Sequence, residues 1–444
     1  MNMSFFRVRS RAGALLLTVF VLVGSLFMNG CGGSDSYTEP TATITVPLAG
    51  QTQNVLIDAA TLKSWVDSGL VNNDDGWEKV VILDVTTAAD YAAGHIPGAQ
   101  LWEGNSGIER YEGPVLSSNM VLDGPAMDAE LQKYGIDKRT TVVFAGMNNP
   151  ARNYFMFRYW GFPKERLKVL NGWKKAWTAA GYALTTVAPT VTPSTYSVRN
   201  LQFNPNVRAG LNELIIAVKD GTANPLNVLT NNTEKAGGTT GVFADVAGDY
   251  VIFQGTIKGA QHLSQANFYE TDAVTGVQTI KSVEDIKALL AGVGIDGSKP
   301  IIAYCRAGNA ASNAFMPLDA VLGWDVMVYD GSWSQWGSLT NQTELAYVPA
   351  ATYALPALLS EWATDVLTTD GYRLVNDGEL IPGIYYNINF PKVIEKPTFR
   401  ILEGMLSPFD ADANSIEVED REYAETPPTG GAPTGTSGGS GGGC

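Results

Sequence analysis

Ile301-Ile302-Ala303-Tyr304-Cys305-Arg306-Ala307-Gly308-Asn309-Ala310-Ala311-Ser312 is the stretch that decides how this chain folds. Its four leading apolar residues predict a short buried strand that runs straight into Cys305. A small turn around Gly308 follows, and residues 310–322 then predict a helix. A thiol at that junction meets successive backbone N–H groups and the positive end of a helix, which stabilise a thiolate and any anion it carries. The thiolate is the nucleophilic form of cysteine. Further on, Val328-Tyr329-Asp330-Gly331-Ser332-Trp333-Ser334-Gln335-Trp336 predicts a second strand and a tight turn, with Asp330, Ser332 and Trp333 as candidate cleft residues. Pro317 falls inside the predicted helix, where it removes a backbone hydrogen bond and predicts a kink.

Working outward, the same pattern occurs twice. Gly94-His95-Ile96-Pro97-Gly98-Ala99 recurs as Gly255-Thr256-Ile257-Lys258-Gly259-Ala260, Gly135-Ile136-Asp137 as Gly294-Ile295-Asp296, and Asn171-Gly172 as Asp330-Gly331. The offsets agree at about 160 residues, which makes the chain two copies of one domain. We place the copies at 51–188 and 197–339, joined by a Pro/Thr-rich linker at 189–196. In the first copy, strands at 80–85 and 141–145 flank a helix at 128–134. Buried β-branched strands alternating with helices predict an α/β fold, each copy a mainly parallel sheet with helices on both faces. Aligning the copies sets Ala145 opposite Cys305, so the first copy lacks a nucleophile. Arg152 opens the helix after that empty loop and reads as a surface residue.

Taken together, Asp84, the run from Tyr91 to Ala99, the strand–Cys305–loop unit and Asp330-Gly331-Ser332-Trp333 resemble the tandem-domain rhodaneses, the thiosulfate and mercaptopyruvate sulfurtransferases. The resemblance implies an inert first domain and an active second one. Cys305 would attack the outer sulfur of thiosulfate or a similar small anionic donor, hold it as a persulfide, and yield it to a thiol or cyanide. The amides of Arg306, Ala307, Gly308, Asn309 and Ala310 would cradle the persulfide, and Arg306 would hold the donor's anionic group. No cofactor is implied, and His95 reads as structural. Thr230 and Asn232 stand where the family carries Asp and Arg, beside a Gly/Thr/Asn-rich insertion at 231–250. The cysteine phosphatases that share this architecture need an Arg where Ala311 stands, which excludes that chemistry. The other reading is a non-turnover lipoprotein that handles persulfide, selenium or chalcogen oxyanions in a surface or electron-transfer complex.

Composition bounds the rest. A formal net charge of −15 over 444 residues excludes nucleic acid as a partner. Three cysteines and two histidines, widely scattered, leave no metal site. Arg7, Arg9 and Arg11 precede an apolar stretch at 14–27, and Met28-Asn29-Gly30-Cys31 is similar to a bacterial lipobox. Residues 1–31 therefore read as a signal peptide with Cys31 lipidated, and 32–50 as a tether. That predicts a cell-envelope protein held by its lipid, on the outer membrane by the residues after Cys31, facing the periplasm or the surface. Residues 340–425 form an extension of unassigned fold, whose aromatic positions suggest a few strands packed on the second domain. Asp410-Ala411-Asp412-Ala413-Asn414 imitates a calcium loop, but Ser415 and Arg421 stand where Gly and Glu are required. The Gly-rich tail at 426–444 is too poor in apolar residues to fold, and its terminal Cys444 is a candidate sulfur relay.

Overall fold

A computed structural model describes residues 55–102, 107–112, 115–146, 150–229, 257, 259–335 and 415–426. Cys31, Cys444, Thr230, Asn232, the 231–250 insertion, the calcium-like run and most of 340–425 lie outside the described residues. The first copy begins with β1 (Leu56–Ile57), α1 (Ala59–Asp67), β2 (Lys79–Val85), α2 (Ala88–Ala93) and β3 (Gln100–Trp102). A hairpin of β4 (Ile108–Glu112) and β5 (Val115–Met120) follows, then α3 (Gly124–Lys133), β6 (Thr140–Gly146), α4 (Pro150–Tyr159), β7 (Leu167–Leu170) and α5 (Trp173–Ala179). The second copy contains α6 (Leu211–Asp220), β8 (Asn224–Asn227), β9 (Gln261–His262), β10 (Tyr269–Thr271) and β11 (Gln278–Ile280). It closes with α7 (Val283–Gly292), β12 (Ile301–Tyr304), α8 (Asn309–Pro317) and β13 (Val326–Val328), and α9 (Ser415–Glu425) lies beyond.

Both sheets are parallel, and their strand orders show the duplication. The first runs β1-β7-β6-β2-β3 and the second β13-β12-β8-β9, so β13, β12, β8 and β9 repeat β7, β6, β2 and β3. The place of β1 shrinks in the second copy to one parallel bridge between Arg208 and Val328. The central strands β2 and β12 are buried at every position, as parallel strands covered on both faces must be. Helix α3 starts at Gly124, earlier than the expected 128, because Asp123 caps it by accepting the Ala126 N–H at 2.9 Å and Pro125 fits its first turn.

The copies share one core. Helices α4 and α8, which follow the equivalent loops, pack on each other through Phe155 and Phe315, ring centroids 5.3 Å apart, and through Tyr154 and Phe315 at 6.1 Å. Beyond Pro317 the helix widens into a π-turn, Leu318–Leu322. That turn carries the buried Asp319 to the first copy, where its carboxylate takes Tyr154 Oη at 2.6 Å, Arg158 Nε at 3.1 Å and Lys164 Nζ at 2.8 Å. The linker is an ordered strap along the first copy: Ser194 donates its N–H to the Gln132 carbonyl at 3.0 Å and its hydroxyl to that of Ile136 at 2.6 Å.

The described part of the 340–425 extension, Ser415–Glu425, is helical and packs on the first copy and on Arg199 of the second, whose Nε donates to the Tyr423 carbonyl at 3.2 Å; the positions expected to form strands lie outside the described residues. Arg110 of β4 holds α9 through a two-pronged pair with Asp420, 2.8 and 2.9 Å, while Tyr423 donates to Asp128 at 2.8 Å. Helix α9 opens on Ser415 and pairs Arg421 with Glu417 at 2.8 Å.

Candidate active site

Cys305 lies at the C-terminal end of β12, in the middle of its sheet, with only 2% of its surface exposed. The carboxyl ends of parallel strands are where ligands bind in such folds. Gly308 adopts φ +83°, and a Cβ there would meet the Asp330 carbonyl oxygen at 2.7 Å, so only glycine lets the loop turn into α8.

The loop is fastened by Ser332. Its Oγ accepts the Cys305 N–H at 3.1 Å and the Gly308 N–H at 3.0 Å, and its proton goes to the Tyr329 carbonyl at 2.8 Å. A hydroxyl has one donor and two acceptor positions, so Ser332 is saturated, with Cys305 Sγ further away at 3.9 Å. The Gly308 amide, expected among the cradling donors, is therefore engaged by Ser332. Trp333 is buried and donates its backbone N–H to the Cys305 carbonyl at 3.0 Å; Ser334 does the same to Arg306. Arg306, Asn309 and Ala310 are half-buried at the mouth of α8, and Ala307 is buried.

Asp330 is not a cleft-lining residue but the hub of a buried ionic chain. Arg208 donates to its Oδ1 from Nε at 2.9 Å and to Glu112 from Nη1 at 2.8 Å, while the Val121 N–H reaches Asp330 Oδ2 at 2.9 Å. Arg152 completes the chain from α4, its Nη2 3.7 Å from Asp330 Oδ2. Its reading as a surface residue is overturned: the side chain is 0% exposed, because α4 is enclosed by α8 and the β4–β5 hairpin supplies its acceptor, the Asn119 carbonyl. Burial acts to raise the Asp330 carboxyl, but Arg208 and Arg152 together hold it below the usual carboxylate range.

These two copies match what is known of one domain. The family description of the rhodanese-like domain fits residues 67–180 and again 231–339. The chain belongs to the rhodanese family. A relative named putative thiosulfate sulfurtransferase, from Haloferax volcanii, is 31% identical over 296 residues, covering 65% of this chain and 95% of its own length. The sulfur carrier protein TtuD of Thermus thermophilus is 30% identical over 260 residues, 56% of this chain and 85% of its own. Among solved structures, YnjE superposes with a TM-score of 0.50 at 23% identity, covering 64% of this chain and 66% of that one, a likeness of fold.

As in other parts of this rhodanese, the repeat extends to backbone detail. Trp173 and Ser332, at equivalent positions after Asn171-Gly172 and Asp330-Gly331, both take left-handed backbone, φ +52° and +51°. His95 sits far along the first copy's sheet edge, stacked on Tyr91 at 3.8 Å with its ring nitrogens 3.0 and 3.1 Å from the Tyr91 and Val187 carbonyl oxygens. Glu112 and Arg208 were missed by sequence reasoning. For Arg208 a signal existed: it is a lone charge between the apolar Val207 and Ala209, where an edge strand of the repeat should begin. For Glu112 the signal was the following Gly113-Pro114, a turn pair that marks a hairpin.

Proposed function

We propose that this rhodanese is a sulfurtransferase that carries sulfane sulfur on Cys305. The thiolate attacks the outer sulfur of thiosulfate or a similar small donor; the donor's S–S bond breaks, its electron pair leaves with sulfite, and a persulfide remains. A thiol or cyanide then attacks the outer sulfur and restores the thiolate. One observation carries this reading: Cys305 ends a central parallel strand, and its loop is pinned by Ser332 at the start of α8. The half-buried Arg306 is the loop's cation, suited to the donor's oxyanion.

Incubation of the full chain with thiosulfate should add one sulfur to the Cys305 peptide, read by mass spectrometry, and Cys305→Ser should take none. Sulfur loading in that variant, with Cys31 and Cys444 also replaced, would reject the assignment. The likeness to a named sulfur carrier favours a second reading, a carrier that stops at one bound sulfur. Turnover with cyanide separates the two. We further propose that Cys31 is lipidated and tethers the protein to the cell envelope, which metabolic labelling with a fatty acid would reveal.

A further inference from the structure

Each copy closes a hairpin over the other copy's turn. The Val121 N–H, just past β5, donates to Asp330 Oδ2 at 2.9 Å, and the Ile280 N–H, at the end of β11, donates to Asn171 Oδ1 at 3.0 Å. Val121 and Ile280 stand at the same offset as Asn171 and Asp330, the period of the repeat, so the two joins are equivalents. The empty copy makes its join with a neutral side chain. On the active side the acceptor is a carboxylate with a buried charge chain behind it: Arg208 donates to Asp330 Oδ1 from Nε at 2.9 Å and to Glu112 Oε1 from Nη1 at 2.8 Å. Joining the copies does not call for those charges, since Asn171 does it without them and the shared core and Asp319 tie the copies elsewhere. What sets the active side apart is the segment that Asp330 leads. Through Ser332, Trp333 and Ser334 it hydrogen-bonds the backbone of Cys305, Arg306 and Gly308, whereas Trp173, at the place of Ser332 in the empty copy, has no hydroxyl to offer. Val121 and Arg208 take one Asp330 carboxylate oxygen each, so the head of that segment is fixed from both sides.

We propose that Arg208 is a positioning residue for Cys305. Its guanidinium braces the Asp330 carboxylate against Glu112 of the empty copy, and residues 330–334 pass that placement to the backbone that carries the thiol. Arg208 acts through Asp330 and Ser332, not on the sulfur. Without the brace the segment can shift, and a misplacement on the order of 1 Å at a reacting atom costs about a hundred-fold in rate. The empty copy has no thiol to place and keeps only the neutral join.

The inference rests on the sulfurtransferase reading for one of two readouts, both taken on the full chain. The first is the rate constant of sulfur loading on Cys305 at saturating thiosulfate, with the half-saturating concentration measured beside it. The second needs no donor: hydrogen exchange, read by mass spectrometry, of the peptide carrying Cys305 to Gly308 against one carrying β2. Arg208→Gln should load about ten- to a hundred-fold more slowly, with the half-saturating concentration little changed. Its loop peptide should exchange faster while β2 does not. Arg208→Lys, which keeps the charge, should recover part of both losses. A merely structural role would quicken exchange in both peptides alike and leave the folded protein loading at the wild-type rate, and that result overturns the proposal. So does Arg208→Lys no better than Arg208→Gln, or a loss confined to the half-saturating concentration. Should Arg208→Gln fail to fold, Asp330→Asn decides, because it keeps an oxygen for the Val121 N–H as Asn171 does for Ile280. Slower loading with faster loop exchange in that variant supports the proposal, and anything less rejects it. If the wild-type chain takes no sulfur, the sulfurtransferase reading falls, and loop exchange alone judges the brace.

Discussion

Ser332 accepts an unfavourable backbone in order to place one oxygen. At φ +51° a residue with a Cβ is strained, yet its Oγ takes the Cys305 and Gly308 amides at 3.1 and 3.0 Å. Removing that oxygen strands two buried N–H groups, each costing about 1–3 kcal/mol when unsatisfied. Ser332→Ala should therefore lower stability in denaturant by at least about 1–3 kcal/mol and slow sulfur loading of Cys305. Ser332→Gly loses the same acceptor but relieves the left-handed strain, worth about 1 kcal/mol, so it should unfold at a higher denaturant concentration than Ser332→Ala. Equal midpoints would show that the strain is not there.

At the scale of elements, Pro317 acquires a purpose. The residue lacks an N–H to continue the α-helical ladder, and the π-turn that follows it swings Asp319 across to Tyr154, Arg158 and Lys164 of the first copy. Asp319→Ala would leave two cations and a phenol facing an empty position; the expected cost is about 3 kcal/mol, measured by chemical denaturation. A loss within about 0.5 kcal/mol, as at ordinary surface sites, would mean that the π-turn does not tie the copies together.

Glu213 of α6 lies within reach of the charge of Glu417 of α9. Burial, and then the negative charge of Glu417, push the Glu213 carboxyl up from 4.5 to about 7. The folded state then binds a proton that the unfolded chain releases between those values, so the stability Glu213 contributes is full below about 4.5 and is lost as pH rises through about 7. Glu213→Gln keeps an oxygen for the Gly210 N–H, now 3.1 Å from the carboxylate, and cannot ionise. It should be more stable than wild type above pH 7 and lose that advantage toward pH 4.5. A difference that stays flat across this range would remove Glu213 as the source.

Over the whole molecule, one hairpin joins three parts that are remote in sequence. Along β4, Glu112 serves the active loop through Arg208, and Arg110 anchors α9 through Asp420. Tyr159 of α4 also donates to Asp420, at 2.7 Å. The Arg110–Asp420 pair is buried on both sides, so removing one partner is costlier than losing a surface bridge. Asp420→Ala should destabilise the folded chain by about 3–5 kcal/mol. Because both copies share a core, the loss should appear in a single unfolding transition. Separate melting of the two copies would show that they are only loosely joined.

The sequence alone determined the duplication, the parallel α/β sheets, the empty loop at Ala145 and the loop built on Cys305. All of these rest on local periodicity and on glycines at required turns, which are written within a few residues. The partners of the buried charges were decided only by the tertiary structure. Arg208 finds Glu112 across 96 residues and Asp330 across 122, and Arg110 finds Asp420 across 310. A charged residue in a helix reads as solvent-facing until a second helix covers it, which is why Arg152 looked like surface. A charge can be buried where a distant segment supplies its counterion, and no local pattern records which segment that is.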